Sequence, residues 1–463
     1  MAGGGINWKK AFILAGALIA LVIGSGFATG QEIMQYFSAY GVQGMLALLV
    51  FAVAFVYYNY NFAKVGAEQR YEVGNDVYKY YCGRHLGAFF DYYSTAFCYM
   101  SFFVMVGGAA STLNQGFGVP TWIGGLLLTA IVVLIVCLGL NKLVDIIGVI
   151  GPIKIAFFIA VGAIVLALDW SQVPAGLAAI STGELAGAAE GEGITQAGDN
   201  WLASGLSYAG FVLLWFASFT TLLGSNNERR DLNAGIVIAT VVICAAIAII
   251  TFAQIANVNT SVDGGQTYVW NAAIPNLILA GRLWSGLSYV YAVIVFIGIC
   301  ATAVPLLYNP VARFAKEGTP RFRVLAVALG VAGLLIGLYV PYATLVNVIY
   351  VLNGYVGAVL IVFMLWRNIQ DARARKAAAV AGEAQVGGPR VEGAGAQGAR
   401  VQAEGAATAG AGSQGAGVQV AGVPADEDPA FEKPCEEAVE FVEELEERAE
   451  RGDGGEGAGG KTR

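Results

Sequence analysis

Histidine is nearly missing from this chain: 463 residues contain one, His85. The six cysteines, Cys82, Cys98, Cys137, Cys244, Cys300 and Cys435, are scattered and form no CxxC pair. A His/Cys metal centre and a disulfide framework are both excluded. No Walker A motif is present to bind and hydrolyse a nucleotide. No His/Cys/Asp cluster stands in the apolar stretches, so neither an enzyme nor a cofactor is expected. Charge is equally scarce. Only 13% of residues are charged, against roughly a quarter in soluble domains. What replaces charge is apolar mass: 57% of residues are hydrophobic and the mean hydropathy is +0.64. That much apolar surface cannot be hidden in one soluble core, which stops growing at roughly 250–300 residues. A soluble domain and a nucleic-acid binder are poor readings, and a polytopic membrane protein is the expectation.

The net charge of -7 belongs to one end of the chain. Residues 1–366 hold 15 Lys+Arg and 15 Asp+Glu, leaving 26 - 15 = 11 and 33 - 15 = 18 for residues 367–463. The acidic balance therefore describes a tail on an electrically neutral core.

A helix needs about 20 apolar residues to cross the hydrocarbon. Ten stretches qualify, beginning near 11, 45, 87, 121 and 147 and then near 200, 234, 284, 324 and 342. They are apolar all round rather than alternating, which predicts helices and not a barrel. The first is too long for a cleaved signal peptide and runs on into QEIMQYF. Lys9, Lys10, Lys64, Arg70, Lys79, Arg84, Lys142, Arg229, Arg230, Arg313, Lys316, Arg321, Arg323, Arg367, Arg373, Arg375 and Lys376 fall on one side of a ten-span chain, and Arg282 alone on the other. That split places both termini in the cytoplasm of a cell-membrane protein. Trp8, Trp122, Trp170, Trp201, Trp284 and Trp366 fall near span ends, as interfacial tryptophans do. Tyr57, Tyr58 and Tyr60 read as part of the same belt. Glu68, Glu72 and Asp76, interleaved with Arg70 and Lys79, read as an amphipathic loop helix, and Asp91 as the partner of a loop cation. Pro305 and Pro310 read as kinking or ending span eight.

The starts of spans one to five recur about 189–203 residues later in spans six to ten. A repeat of five crossings must invert, so the expected fold is all-α transmembrane, ten helices as a 5+5 inverted repeat with broken helices 1 and 6. Repeat one covers about 11–168 and repeat two about 200–366. Such a plan is that of many secondary transporters, whose site lies where the first helix of each half breaks. Span one carries Gly24, Ser25, Gly26, Ala28, Thr29 and Gly30 inside an apolar run, followed by Glu32. Glycines weaken a helix and admit close approach of a ligand to the backbone. Gly26 and Gly30 also fit a GxxxG packing face, so a site and a packing seam both remain open. In span six the matching cluster is Ser204, Gly205, Ser207, Tyr208, Ala209 and Gly210.

The stretch IGSGFATGQEIMQYFSAYG, residues 23–41, resembles the first span of the YkvI-like membrane proteins, with their GAGFASGQE-type core. That family resembles the amino acid–polyamine–organocation superfamily with its LeuT-type fold. The resemblance covers about residues 6–366, as a motif in span one and as layout elsewhere. It implies alternating-access transport of a small-molecule substrate, such as an amino acid or related amine-carboxylate. It also implies that the unwound segment at Gly24, Ser25 and Gly26, with Thr29 beside it, binds the substrate's carboxylate through backbone amides. Ser207, Tyr208 and Gly210 would surround the amine and side chain, and AGFVL after the tyrosine implies an apolar pocket. Sodium-coupled members pair span-one carbonyls, at Ala20 and Ile23 here, with two hydroxyl residues on span eight. Here Ala301 precedes Thr302, so one hydroxyl of the pair is gone, which matters for a cation that wants several oxygens. Lys154, in the GPIKIAFF of span five, matches the lysine that occupies the sodium position in ion-independent or proton-coupled members. It lies only about 10 Å along the span and could equally snorkel to the surface. Proton-coupled or ion-independent transport is thus the expectation, with Glu32 and Lys154 as the charged groups inside the membrane. The alternative is a receptor that keeps this fold and signals through its tail.

Residues 367–434 form an Ala/Gly-rich cytoplasmic linker whose composition cannot bury a core. Residues 435–463 contain PCEEAVEFVEELEERAER, with Ala438, Val439, Val442, Leu445 and Ala449 on one helical face. Anionic lipid would repel this acidic helix, so a basic cytoplasmic protein partner fits it better, unless it serves solubility alone.

Overall fold

The computed structural model describes residues 5–138, 141–261 and 264–386, without the side chains of Ser25, 141–153 and 378–386. The secondary structure there is helical. The elements are α1 (Trp8–Val22), α2 (Ser25–Thr29), α3 (Gln31–Tyr36), α4 (Gln43–Gln69), α5 (Asp76–Phe117), α6 (Thr121–Leu138), α7 (Asn141–Asp169), α8 (Val173–Thr182), α9 (Trp201–Asn226), α10 (Arg229–Ala256), α11 (Pro275–Leu283), α12 (Ser285–Phe314), α13 (Pro320–Tyr339), α14 (Tyr342–Leu345) and α15 (Val351–Val386). Among the described residues, nine helices are long and apolar enough to cross a membrane. Large apolar side chains stay exposed on their outer faces, Val324, Leu335 and Val241 among them, as lipid contact requires.

The remaining crossing is the broken one, α1 to α3, and α10 measures its length. Asn7 N–H donates to Asp231 Oδ1 (2.9 Å) at the start of α10, and Ser38 Oγ donates to Gln254 Oε1 (2.7 Å) near its end. The two points on α10 lie 23 residues apart, about 35 Å at 1.5 Å per residue. The first crossing therefore spans the full thickness, parallel to the seventh, as two odd-numbered crossings of an alternating chain must. The same logic holds elsewhere. Gly205 and Gly224 of α9 press on Ala47 and Ala63 of α4, so crossings two and six run parallel. Arg313 and Ile299 of α12 meet Asp91 and Gly108 of α5, so crossings three and eight run antiparallel.

On the side where Asn7 lies, Asp91 is held by Arg313 (3.0 Å) and Asn75 (2.9 Å), with the Arg313 guanidinium over the Tyr92 ring at 4.6 Å. On the opposite side, the chain at 196–198 straps the end of the first crossing. Ala197 N–H donates to the Gln35 carbonyl (3.0 Å), Gln196 to Ala39 (3.1 Å) and Tyr40 to Gly198 (2.7 Å). Burial pushes the Tyr40 phenol up to about 12, so it stays a donor. A cavity of about 310 Å³ opens nearby, where Asp169 pairs with Arg282 (3.1 Å) and accepts from Asn257 (3.1 Å).

Several local expectations are corrected. α9 runs unbroken from Trp201 to Asn226, because its small residues are filled by neighbouring backbone. Pro305 and Pro310 do not end span eight: both lie inside α12, which continues to Phe314. Tyr58 is fully buried, its ring against Phe55 (5.5 Å) and Phe62 (6.1 Å) rather than at an interface. Glu68 lies in the last turn of α4 and Asp76 begins α5, with a turn and no separate loop helix between them. From Trp366, where a second unit begins, the chain stays helical to Val386, into the stretch whose composition reads as linker. Alanine and arginine favour helix there, and Arg367 pairs with Asp371 one turn on (3.4 Å). The acidic helix at 435–463 lies outside the described residues.

A candidate functional site at the broken first crossing

Gly24 stops α1. The Ile23 amide still bonds to the Ile19 carbonyl (2.8 Å), but the Gly24 amide turns to Val22 (2.8 Å), so the Ala20 carbonyl loses the partner four residues on. Gly24 is extended (φ -86°, ψ -156°) and caps α2 without any side-chain hydrogen bond. Six residues later Gly30 adopts φ +83°, a left-handed conformation that glycine reaches without strain, and the chain restarts as α3. Backbone groups freed inside a membrane must be satisfied within the protein or face a cavity.

Beyond Gly24 they are satisfied by side chains from distant crossings. Asn276 Nδ2 donates to the Phe27 carbonyl (3.2 Å) and Tyr291 to that of Ala28 (2.8 Å). Gln254 Nε2 donates to the Gly30 carbonyl (2.9 Å) and to Asn276 Oδ1 (3.0 Å). Thr29 Oγ1 donates to the Gly26 carbonyl (2.8 Å) and meets the Tyr342 hydroxyl at 2.9 Å. Gly24 itself faces open space: a Cβ there would meet nothing within 4 Å. The break is thus clamped on one flank and open on the other.

Glu32 lies six residues beyond Gly26, across the break at Gly30, and packs its carboxyl directly against it, in the place where a Cβ on Gly26 would stand. It is 3% exposed. Among the described residues it has neither an ion-pair partner nor a hydrogen bond. Tyr36 stands four residues on in the same helix, α3, and Tyr208 and Tyr350 join it through ring contacts. Their rings belong to one aromatic cluster: Tyr36 meets Tyr208 at 5.1 Å, Tyr208 meets Phe211 at 4.9 Å, and Phe211 stacks on Tyr350 at 4.8 Å.

Gly24, Gly26, Thr29 and Glu32 therefore stand together, while the Ser25 side chain lies outside the described residues. From the sixth crossing, Tyr208 joins the cluster with its ring fully buried. Ser207 and Gly210 sit at a helix seam. Ser207 Oγ donates to the Val351 carbonyl (3.4 Å), and Gly210 faces the backbone of Gly354 and Gly357. Lys154 is 8% exposed and lies against α12, its Nζ 3.8 Å from where a Cβ on Gly298 would be. Thr302 Oγ1 donates to the Gly298 carbonyl (3.0 Å), which puts both expected coupling residues at one stretch of α12. Ile23 is fully buried, whereas Ala20 is exposed. Gln254, Asn276, Tyr291, Tyr342 and Tyr350 were not legible as site residues. The signals were faint: one amide in the last turn of an apolar helix, an Asn after Pro275, and tyrosines flanking a π-helical turn, Val346–Tyr350, a feature frequent at functional sites.

A family model described as the sodium:alanine symporter family matches residues 74–207, which run from the turn before α5 to the start of α9. Uncharacterized protein YyaD of Bacillus subtilis (strain 168) is 28% identical over 133 residues, 29% of this chain. The match spans 37% of that protein's length. Among solved structures, the crystal structure of MhsT in complex with L-phenylalanine is 17% identical, covering 72% of this chain and 80% of that one at a TM-score of 0.47. A mutant of the Eremococcus coleocola manganese transporter is 15% identical, covering 80% and 74% at a TM-score of 0.39.

Proposed function

We propose that this chain is a secondary transporter of the YkvI-like type, moving an amino acid or related amine-carboxylate across the cell membrane by alternating access, both termini cytoplasmic. The observation that carries the reading is the broken first crossing, clamped through Phe27, Ala28 and Gly30 and open at Gly24. The symporter-family match over 74–207 supports it, as does the similar spacing of the crossings in the two halves of the chain for an inverted 5+5 repeat. Substrate binds along Gly24, Ser25, Gly26 and Thr29, with Tyr208 closing the cluster and Ser207 and Gly210 setting its approach to α15. The transport cycle couples through Lys154, lodged beside Gly298 on the stretch of α12 that carries Thr302, with Ala20 and Ile23 as the span-one residues of the same expected site, and a proton is the coupling species. An ammonium buried this way replaces the positive charge that a sodium ion would bring, and Thr302 alone offers too few oxygens for one. Glu32 is a second group whose charge must be balanced each cycle.

The test is uptake of labelled amino acids into proteoliposomes under an imposed pH gradient or sodium gradient. Uptake driven by the pH gradient and abolished in Lys154→Ala is the expected result. Uptake that follows sodium and is unchanged in Lys154→Ala overturns the coupling. No uptake of any amino acid by folded protein overturns the function.

A further inference from the structure

The cavity beside Asp169 has an uneven wall: its acidic side chain is used up and its basic one is not. Asp169 ends α7 with its carboxylate buried, and both oxygens are taken. Oδ1 accepts from Arg282 Nη2 (3.1 Å) and Oδ2 from Asn257 Nδ2 (3.1 Å). Asn257 is fixed in turn, donating to the Ala253 carbonyl (3.2 Å) and accepting from Thr260 Oγ1 (3.0 Å). A cation at this carboxylate would have to displace a guanidinium. Arg282 has five N–H groups. Among the described residues only its Nη2 is bonded, and the side chain is 52% exposed. Gln172 lines the same cavity, exposed and without a hydrogen bond among the described residues. Residues 169–199 hold Asp169, Glu184, Glu190, Glu192 and Asp199 and no Lys or Arg. Among the described residues, Arg282 alone brings positive charge to this end of the molecule.

We propose that this cavity, at the ends of the fifth and seventh crossings, binds a small organic carboxylate on the free edge of Arg282. Asp169 holds the guanidinium from one side and so fixes it in place, and a planar fork held that way meets a second carboxylate with two parallel hydrogen bonds. Gln172 adds an amide donor. The rest of the wall selects an organic anion over a bare ion. Ala175, Gly176, Ala256 and Val258 line it without charge, and Gly176 seats α8 so closely on the Ile255 carbonyl that no Cβ fits between them. A volume of about 310 Å³ holds a short alkyl chain as well as the carboxylate, at the lower end of small-molecule pockets. The residues of the broken first crossing do not line this cavity, and the inference does not depend on whether the chain transports anything.

The probes are propionate, its uncharged isostere propionamide, and chloride. Each is titrated into the purified full-length protein at one fixed, low ionic strength while thermal unfolding and tryptophan fluorescence are followed, Trp170 standing next to Asp169 in the chain. A saturable shift with propionate and none with propionamide is expected. Arg282→Gln weakens propionate by about tenfold or more, and Arg282→Lys, which keeps the charge and loses the fork, falls between the two. Ala175→Phe fills the cavity from α8, leaves Arg282 and Asp169 paired, and abolishes binding. Should Arg282→Gln fail to fold because Asp169 is left unpaired, Ala175→Phe decides. Binding of propionamide equal to that of propionate, or no binding of propionate, overturns the site. So does propionate binding within twofold of wild type in Ala175→Phe or in folded Arg282→Gln. Chloride that competes as strongly as propionate overturns the carboxylate as its ligand. Competition by alanine separates the two sources of that group: an amino acid displaces propionate, whereas a site for simple acids ignores it.

Discussion

The first and sixth crossings carry nearly the same kind of small-residue cluster, yet one is broken and the other is not. Gly24 and Gly30 interrupt the first within eight residues, whereas α9 passes Ser204, Gly205, Ser207 and Gly210 without a fault. The difference lies in what stands opposite. Against Phe27, Ala28 and Gly30 the fold presents the side-chain donors of Asn276, Tyr291 and Gln254, which substitute for the missing helical bonds. Against Gly205 and Gly210 it presents bare backbone, at Ala47 and Gly354. Glycine at a seam of that kind lets helices approach and leaves their ladders intact. A glycine cluster in a membrane helix thus becomes a break only where partners for the freed groups are supplied.

The sharpest way to break this comparison is a branched side chain in each crossing. Gly210→Val drives a Cβ into the Gly354 carbonyl, a backbone atom that cannot step aside. A loss of about 3 kcal/mol or more is expected, read as a collapse of the detergent-resistant folded fraction. Glu32→Gln should do the opposite. It keeps the shape, replaces a buried carboxyl that has no ion-pair partner among the described residues and leaves the unfolding midpoint equal or higher, while uptake falls at least about tenfold. A Glu32→Gln protein that is unstable but transports normally would make Glu32 a structural group.

How much of this could be read beforehand follows the same division. Nine helices were legible because twenty apolar residues leave few alternatives in a bilayer. The break was legible in Gly24 and Gly30, since their conformational cost is local. The clamps were not, because Gln254, Asn276 and Tyr291 lie more than two hundred residues away, and nothing local distinguishes a polar side chain facing a free carbonyl from one facing water. Span six was misjudged for that reason: its small residues look alike in sequence, and only Gly354 and Gly357, from the tenth crossing, decide their role. Lys154 was balanced between an ion-site role and snorkelling, a choice its sequence context leaves open; in the fold it lies beside Gly298 of α12.

The clamps give the next effects. Asn276→Leu strands the Phe27 carbonyl and removes a partner of Gln254. A cost of about 1–3 kcal/mol is expected, measured as a lowered unfolding midpoint, and uptake should fall with it. Gln254→Leu should match it, and the pair should be non-additive because they share one network. A smaller effect is expected from the hydroxyl pair: a double-mutant cycle of Thr29→Val and Tyr342→Phe should give a coupling of about 1 kcal/mol. Strict additivity would mean that the 2.9 Å contact does not hold α14 to the break.

The smallest change in stability is expected at the break itself. Gly24 has a negative φ, and its Cβ position is empty, so Gly24→Ala should alter folding by less than about 0.5 kcal/mol. Two residues on, Gly26→Ala must displace the Glu32 carboxyl and should cost both stability and uptake. If the glycines served only to pack helices, Gly24→Ala would be silent in every assay. If the open side of Gly24 is where the cargo's carboxylate lies, the new methyl group intrudes on that space. The apparent KM for uptake should then rise several-fold with the unfolding midpoint unmoved, a split that packing does not produce.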